Sequence, residues 1–209
     1  MKHLLIALSL VLIPHLSIAQ KPNILVVIAD DLDWATYNVT PGLSAIAAQG
    51  MTFNAITSTP LCGPSRASIL SGKYTHNHGI KGNDKERYND LWYTNIIGKT
   101  FGDWCEASGY HSVMIGKYAN PFDKYNHSGW GSWVTPDGRG EPLPESGEFW
   151  HDRMVNRAIT EINENSDKPN VVWYSSTIPH GPLIPSPEYN GSLAGLTAPQ
   201  GPSFNEADV

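Results

Sequence analysis

Asn23-Ile24-Leu25-Val26-Val27-Ile28-Ala29 is a continuous apolar run rich in β-branched residues, and Asp30 and Asp31 follow it at once. A strand without polar alternation suits a position buried on both faces, as in a parallel sheet covered by helices. Working outward, Pro41 to Gln49 reads as a short helix, with Thr40 as N-cap and Gly50 as its stop. Met51 to Ile56 can return as a strand, and a helix after Pro64 runs to about Ser71, where Gly72 ends it. Thr100 to Ser108 reads as a helix closed by Gly109, and His111 to Ile115 as the next strand. Met154, Val155, Ala158, Ile159 and Ile162 recur at helical spacing between Phe149 and Asn163, and Asn170 to Ile178 is a further apolar strand. Alternating helix and strand predicts an α/β fold with a mostly parallel sheet.

Two stretches fall outside this pattern. Tyr118 to Gly147 is rich in Gly, Pro, Tyr and Trp without a period, and long loops of that kind are often functional. Pro185 to Val209 is loop-like and supplies no closing element, so the expected sheet is incomplete at its C-terminal side.

The remaining bounds are broad. With 209 residues, 40% hydrophobic and 16% charged, the chain has the composition of a soluble globular domain large enough to bury a core. A formal net charge of −6 gives no basic surface to suggest a nucleic-acid partner. Lys2 and His3 precede the apolar run Leu4 to Ile13, and Ser17-Ile18-Ala19 supplies small residues for cleavage. Residues 1–19 therefore read as a signal peptide, with residues 20–209 secreted or periplasmic. The apolar run is too short to anchor the chain stably in a membrane. Cys62 and Cys105 are either one disulfide or, since Cys105 lies in an amphipathic helix, separate thiols.

In open α/β sheets, ligands gather at the carboxyl ends of the strands. Asp30 and Asp31, Lys117, and His180 each follow a strand, and Cys62 and Arg66 sit where a loop enters a helix. Carboxylates, cations and a histidine on one edge suit a site for a metal and an oxyanion. Each has a plainer reading: Asp30-Asp31 as a turn, Lys117 and His180 as solvated loop residues. His76 and His78 form an isolated H-x-H, weak as a metal motif and read as pocket-rim or structural residues. Tyr125, Trp130 and Trp133 suit either sugar stacking or loop packing. Asn38, Asn126 and Asn190 begin N-x-[ST] sequons.

Cys62-Gly63-Pro64-Ser65-Arg66, continuing to Leu70-Ser71-Gly72, resembles the sulfatase signature C-x-P-S-R-x-x-x-L-[ST]-G. Pro22 to Asp31, Gly116-Lys117-Tyr118 and Pro179-His180-Gly181-Pro182 resemble three further motifs of the formylglycine-dependent sulfatases. The lysine and histidine motifs look closest to the N-acetylglucosamine-6-sulfatase and heparan endosulfatase branch. Ala119-Asn120 stands where many sulfatases carry a histidine two residues after the lysine, which suits that branch.

The resemblance implies an alkaline-phosphatase-like fold and hydrolysis of sulfate esters, on a sulfated carbohydrate. It implies that a formylglycine-generating enzyme oxidises Cys62 to Cα-formylglycine, and that Asp30, Asp31 and residue 62 bind Ca2+. Arg66 and Lys117 would then hold the sulfate, and His180 would serve the departing oxygen. Family members are longer, and the later Asp-Asn pair and lysine that complete their sites have no counterpart after His180. The chain thus reads as the N-terminal part of a catalytic domain. Alternatives are a non-catalytic fragment binding anionic glycans, a phosphodiesterase or phosphonate hydrolase of the same superfamily, and, more distantly, a cysteine protease using Cys62 and His180.

Overall fold

The computed structural model describes residues 21–55, 59–118, 129–134, 149–181 and 183–197. Residues 1–19, Ala119-Asn120, Tyr125, the Asn126 sequon and most of the two aperiodic stretches lie outside the described residues. Four parallel strands form one sheet in the order β1-β4-β2-β3: β1 (Ile24–Asp30), β2 (His111–Gly116), β3 (Ser132–Val134) and β4 (Asn170–Pro179). Seven helices accompany them among the described residues: α1 (Trp34–Asn38), α2 (Pro41–Ala47), α3 (Cys62–Ser71), α4 (Thr75–His78), α5 (Lys85–Asn95), α6 (Phe101–Ala107) and α7 (Trp150–Glu164).

Period-two alternation in the central strands divides the core between the two faces of the sheet. Met114, Val171 and Trp173 meet Ala67 and Leu70 of α3, Trp92 of α5 and Cys105 of α6 on one side. Val113, Ile115 and Val172 meet Trp150, Met154 and Ala158 of α7 on the other. The result is the helix–sheet–helix sandwich expected of an α/β chain.

Several expectations are corrected. β1 is an edge strand among the described residues. Its Ile24, Val26 and Ile28 pack on the core, but Leu25 and Val27 are 59% and 57% exposed. The reason is coverage, since α7 packs over β2 and β4 and leaves that side of β1 open. Residues 51–55 are irregular rather than a strand; Met51 and Phe53 are exposed and, among the described residues, no strand of the sheet pairs with them. On α7 the buried stripe is Trp150, Met154, Ala158 and Glu161, whereas Val155 and Ile159 face outward. Thr40 precedes α2 without capping it by its side chain, because its hydroxyl donates to the Thr36 carbonyl at 2.9 Å. Ser132 to Val134, inside the stretch read as loop, pairs with β2 as β3. The helix at Thr100 follows the expectation closely, with Thr100 and Asp103 forming a reciprocal capping box.

Candidate functional site

The polar residues after β1, β2 and β4 meet because the strands are parallel, with a register shift between β1 and β4 after Ile28. Asp30 lies opposite Pro179, and Gly116 opposite Ser175, so Asp30, Lys117 and His180 emerge along one edge of the sheet. α3 points its first turn at the same edge. It begins at Cys62, with Pro64 tolerated in the first turn, and stops at Gly72 in the left-handed conformation (φ 65°). Its inward face buries Arg66, Ala67 and Leu70.

Asp30 is the hub. Its carboxylate accepts from Arg66 Nη2 at 3.2 Å on one oxygen and pairs with Lys117 Nζ on the other. All three residues are buried. Arg66 Nη1 also donates to the Lys117 carbonyl at 3.1 Å and to the Ser175 hydroxyl, while Arg66 Nε has no partner among the described residues. Burial alone would raise the Asp30 carboxyl. The Lys117 hydrogen bond, then the charges of Arg66 and Lys117, outweigh it and hold Asp30 below the usual carboxylate range. Two buried cations thus share one buried carboxylate, and the surplus positive charge sits beside Cys62.

Donor atoms of Asp30, Cys62 and His180 all lie within 4.8 Å of one another, so these residues could hold a metal ion together. Asp31 stands slightly apart. It is the one described non-glycine residue with positive φ (63°), and its Oδ2 is 3.8 Å from His180 Nε2. His180 Nδ1 donates to the Gly181 carbonyl at 2.7 Å, leaving Nε2 turned toward the acidic pair. A cleft of about 290 Å³ opens over this cluster, lined by Asp30, Asp31, Leu61, Cys62, Ser65 and Arg66 among others.

All six candidate residues therefore converge on one edge of the sheet, where Arg66 and Lys117 both pair with Asp30. Cys62 and Cys105 are free thiols rather than a disulfide, and burial followed by the Glu106 charge pushes the Cys105 thiol up, which keeps it inert. His78 is fully buried and bonded to Ser68, a structural residue, while His76 stacks on Tyr74 at the surface. Trp130 is core, packed on Tyr118 and Trp173, and Trp133 is 45% exposed on β3. Asn38 and Asn190 are exposed.

Sequence reading missed Ser175, whose hydroxyl orients Arg66 and whose carbonyl accepts the Lys117 N–H at 2.9 Å. The signal was the Ser175-Ser176-Thr177 interruption of an otherwise apolar strand. It also missed Asn83, which bonds the first turn of α3 from a segment with no motif.

A family model described as Sulfatase matches residues 22–202. The extracellular sulfatase SULF-1 homolog of Drosophila melanogaster is 26% identical over 212 residues, covering 90% of this chain and 19% of that protein. The N-acetylglucosamine-6-sulfatase of Capra hircus is 27% identical over 220 residues, covering 90% of this chain and 39% of that protein. In solved structures, BT4656 in complex with its substrate D-glucosamine-2-N,6-O-disulfate superposes with a TM-score of 0.67 at 24% identity, over 88% of this chain and 40% of that one. Ps i-CgsB in complex with k-i-k-neocarrahexaose superposes at 0.68 with 18% identity, over 86% and 50%. The chain thus spans less than half the length of these two relatives.

Proposed function

The chain belongs to the sulfatase family, and on that premise we propose that its natural protein hydrolyses sulfate esters at the cleft lined by Asp30 and Cys62, with His180 beside them. The observation that carries this reading is the buried cluster in which two cations, Arg66 and Lys117, share one carboxylate. A surplus of buried positive charge suits an anion bound beside residue 62.

The donor set gives a test of the implied metal. Calcium takes oxygen ligands, and Asp30 and Asp31 supply them. A thiol sulfur is a soft donor and fits this ion poorly. Position 62 fits only once its sulfur is replaced by oxygen, as in the hydrated form of Cα-formylglycine. Asp30, Asp31 and residue 62 would then hold the ion, with further oxygens from elsewhere in the natural protein. The oxidised residue would supply an oxygen nucleophile, and a bound ion would polarise the sulfate. A formylglycine-generating enzyme is the maturation partner this requires.

The chain's own residues do the rest. Arg66 fixes the direction of the Asp30 carboxylate through three bonded contacts at its terminal nitrogens. Lys117 is held against Asp30 and can turn its ammonium to an incoming sulfate oxygen. His180 keeps its Nδ1 proton on the Gly181 carbonyl, so only its imidazolium form, protonated on Nε2 as well, can pass a proton to a departing alcohol oxygen, with Asp31 as countercharge.

The substrate class is a sulfated carbohydrate, a reading supported by what the relatives' names say of those proteins. Secretion or export to the periplasm fits residues 1–19 and the extracellular relative. Among the described residues, no helix is long and apolar enough to cross a membrane. The test is sulfate release by the natural protein, compared with its Cys62→Ala variant and with hydrolysis of a phosphate diester. Turnover of the sulfate ester that vanishes in the variant is expected; retained release in Cys62→Ala would sink the mechanism.

A further inference from the structure

α3 starts without a side-chain cap of its own. Leu61 offers no acceptor, and Pro64 has no N–H, so the open donors of the first turn are those of Cys62 and Gly63. Gly63 N–H is nevertheless satisfied: it donates to Asn83 Oδ1 at 3.0 Å, from twenty residues further along the chain. That bond belongs to a brace. Thr75 and Thr59 join their hydroxyls at 2.6 Å just before α3, and His78 Nε2 meets Ser68 Oγ at 2.9 Å in its middle. His78 Nδ1 accepts from Ile80 N–H at 3.1 Å, so the shared proton lies on Nε2 and Ser68 accepts. Asn95 Nδ2 in turn donates to the His78 carbonyl at 3.0 Å. Residues 75–83 therefore grip α3 ahead of it, along it and at its first turn.

We propose that Asn83 is a positioning residue for Cys62. Helix ends fray first, and the first turn of α3 carries the reacting side chain. By closing the Gly63 N–H, Asn83 keeps residue 62 within reach of Asp30 and His180 in the cluster where all three donor atoms lie within 4.8 Å. This role rests on the sulfatase reading for its consequence in catalysis, though not for its geometry. A neutral amide is the suitable acceptor: a carboxylate at position 83 would hold the same bond but bring negative charge to an anion site.

The test compares Asn83→Ala and Asn83→Asp in the natural protein with a sulfate ester. Losing a capping bond of this kind should lower kcat about fivefold to tenfold in Asn83→Ala with KM little changed. Asn83→Asp should keep kcat within about twofold while KM rises, because the bond survives and the added charge opposes the anion. A purely structural role would lower the melting temperature of both and move neither parameter in this pattern. Unchanged kcat in Asn83→Ala, or an Asp variant no better than Ala, overturns the proposal. Alkylation of unmatured protein reads the same restraint without turnover: iodoacetamide should label Cys62 faster in Asn83→Ala, with buried Cys105 silent as the control for folding. Equal Cys62 rates would also overturn it. A wild-type protein that turns over no sulfate ester would instead defeat the sulfatase reading, with the alkylation result still deciding the role of Asn83.

Discussion

Replacing Gly116 with alanine should cost more than any other single methyl added along the site edge. Gly116 ends β2 with φ 95°, and a Cβ built there falls 2.0 Å from the Ser175 carbonyl oxygen, 2.9 Å from its carbon and 3.2 Å from Met154 Sδ. The nearest obstacles are backbone, so no side chain can turn aside. Left-handed backbone costs a residue with a Cβ about 1–2 kcal/mol. Relieving the overlap by shifting strands costs about 1–3 kcal/mol more. Pushing β2 from β4 also weakens the Lys117 N–H bond to the Ser175 carbonyl, worth about 1 kcal/mol. Together these reach roughly 3–6 kcal/mol, a large share of a typical domain's stability, and should lower the melting temperature by on the order of 10–20 °C. The assay is thermal unfolding of the natural protein and the variant, with Gly42→Ala as the control. Gly42 lies in α2 with nothing within 4 Å of its added Cβ, and that change should be neutral or slightly stabilising. A Gly116→Ala protein melting within about 2 °C of wild type would refute the close approach of β2 to β4 on which Lys117 is placed.

Lys117→Met should lower kcat/KM for a sulfate ester by about 10²–10³-fold, the usual loss of one preorganised charged contact; steady-state kinetics check it, and a loss under about threefold would contradict the role given to Lys117. Stability should also fall on acidification. Burial, then the charges of Lys73 and His76, hold His78 below its ordinary 6.5, and burial holds His151 below it despite Asp152. Both rings take up a proton less readily in the fold than in the unfolded chain, so the unfolded chain binds more protons below pH 6.5 and their contribution is lost as pH falls from there. Melting temperature measured against pH should show that step, and His78→Gln should flatten it. Glu161 adds a second step at lower pH. Burial would raise its carboxyl, but the His111 and Ser132 hydrogen bonds and Arg157 outweigh this, so its contribution, complete above 4.5, disappears as pH falls below that value.

The fold class was legible because apolar runs at β1 and β4 and the helical stripe near Met154 are local patterns. The edge position of β1 was not, since whether Leu25 and Val27 meet a helix depends on where α7 lies across the sheet. The irregular path after Gly50 was misread for the same reason, as Met51 and Phe53 have strand-like chemistry but, among the described residues, no strand pairs with them. The six candidate residues that the structure brings together were legible from their places at strand ends and within short motifs. Their pairing was not: nothing in the linear order says that Arg66 and Lys117, fifty-one residues apart, close on the same carboxylate. Ser175 and Asn83 were hidden for a related reason, because each acts through one bond to a distant segment.

Mass spectrometry of the Cys62-containing peptide, from protein isolated from its native source, tests the central claim most directly. The account predicts an aldehyde in place of the thiol at position 62, with Cys105 unchanged in the same digest. A Cys62 that carries its thiol in every molecule, in protein that nonetheless releases sulfate, would contradict it.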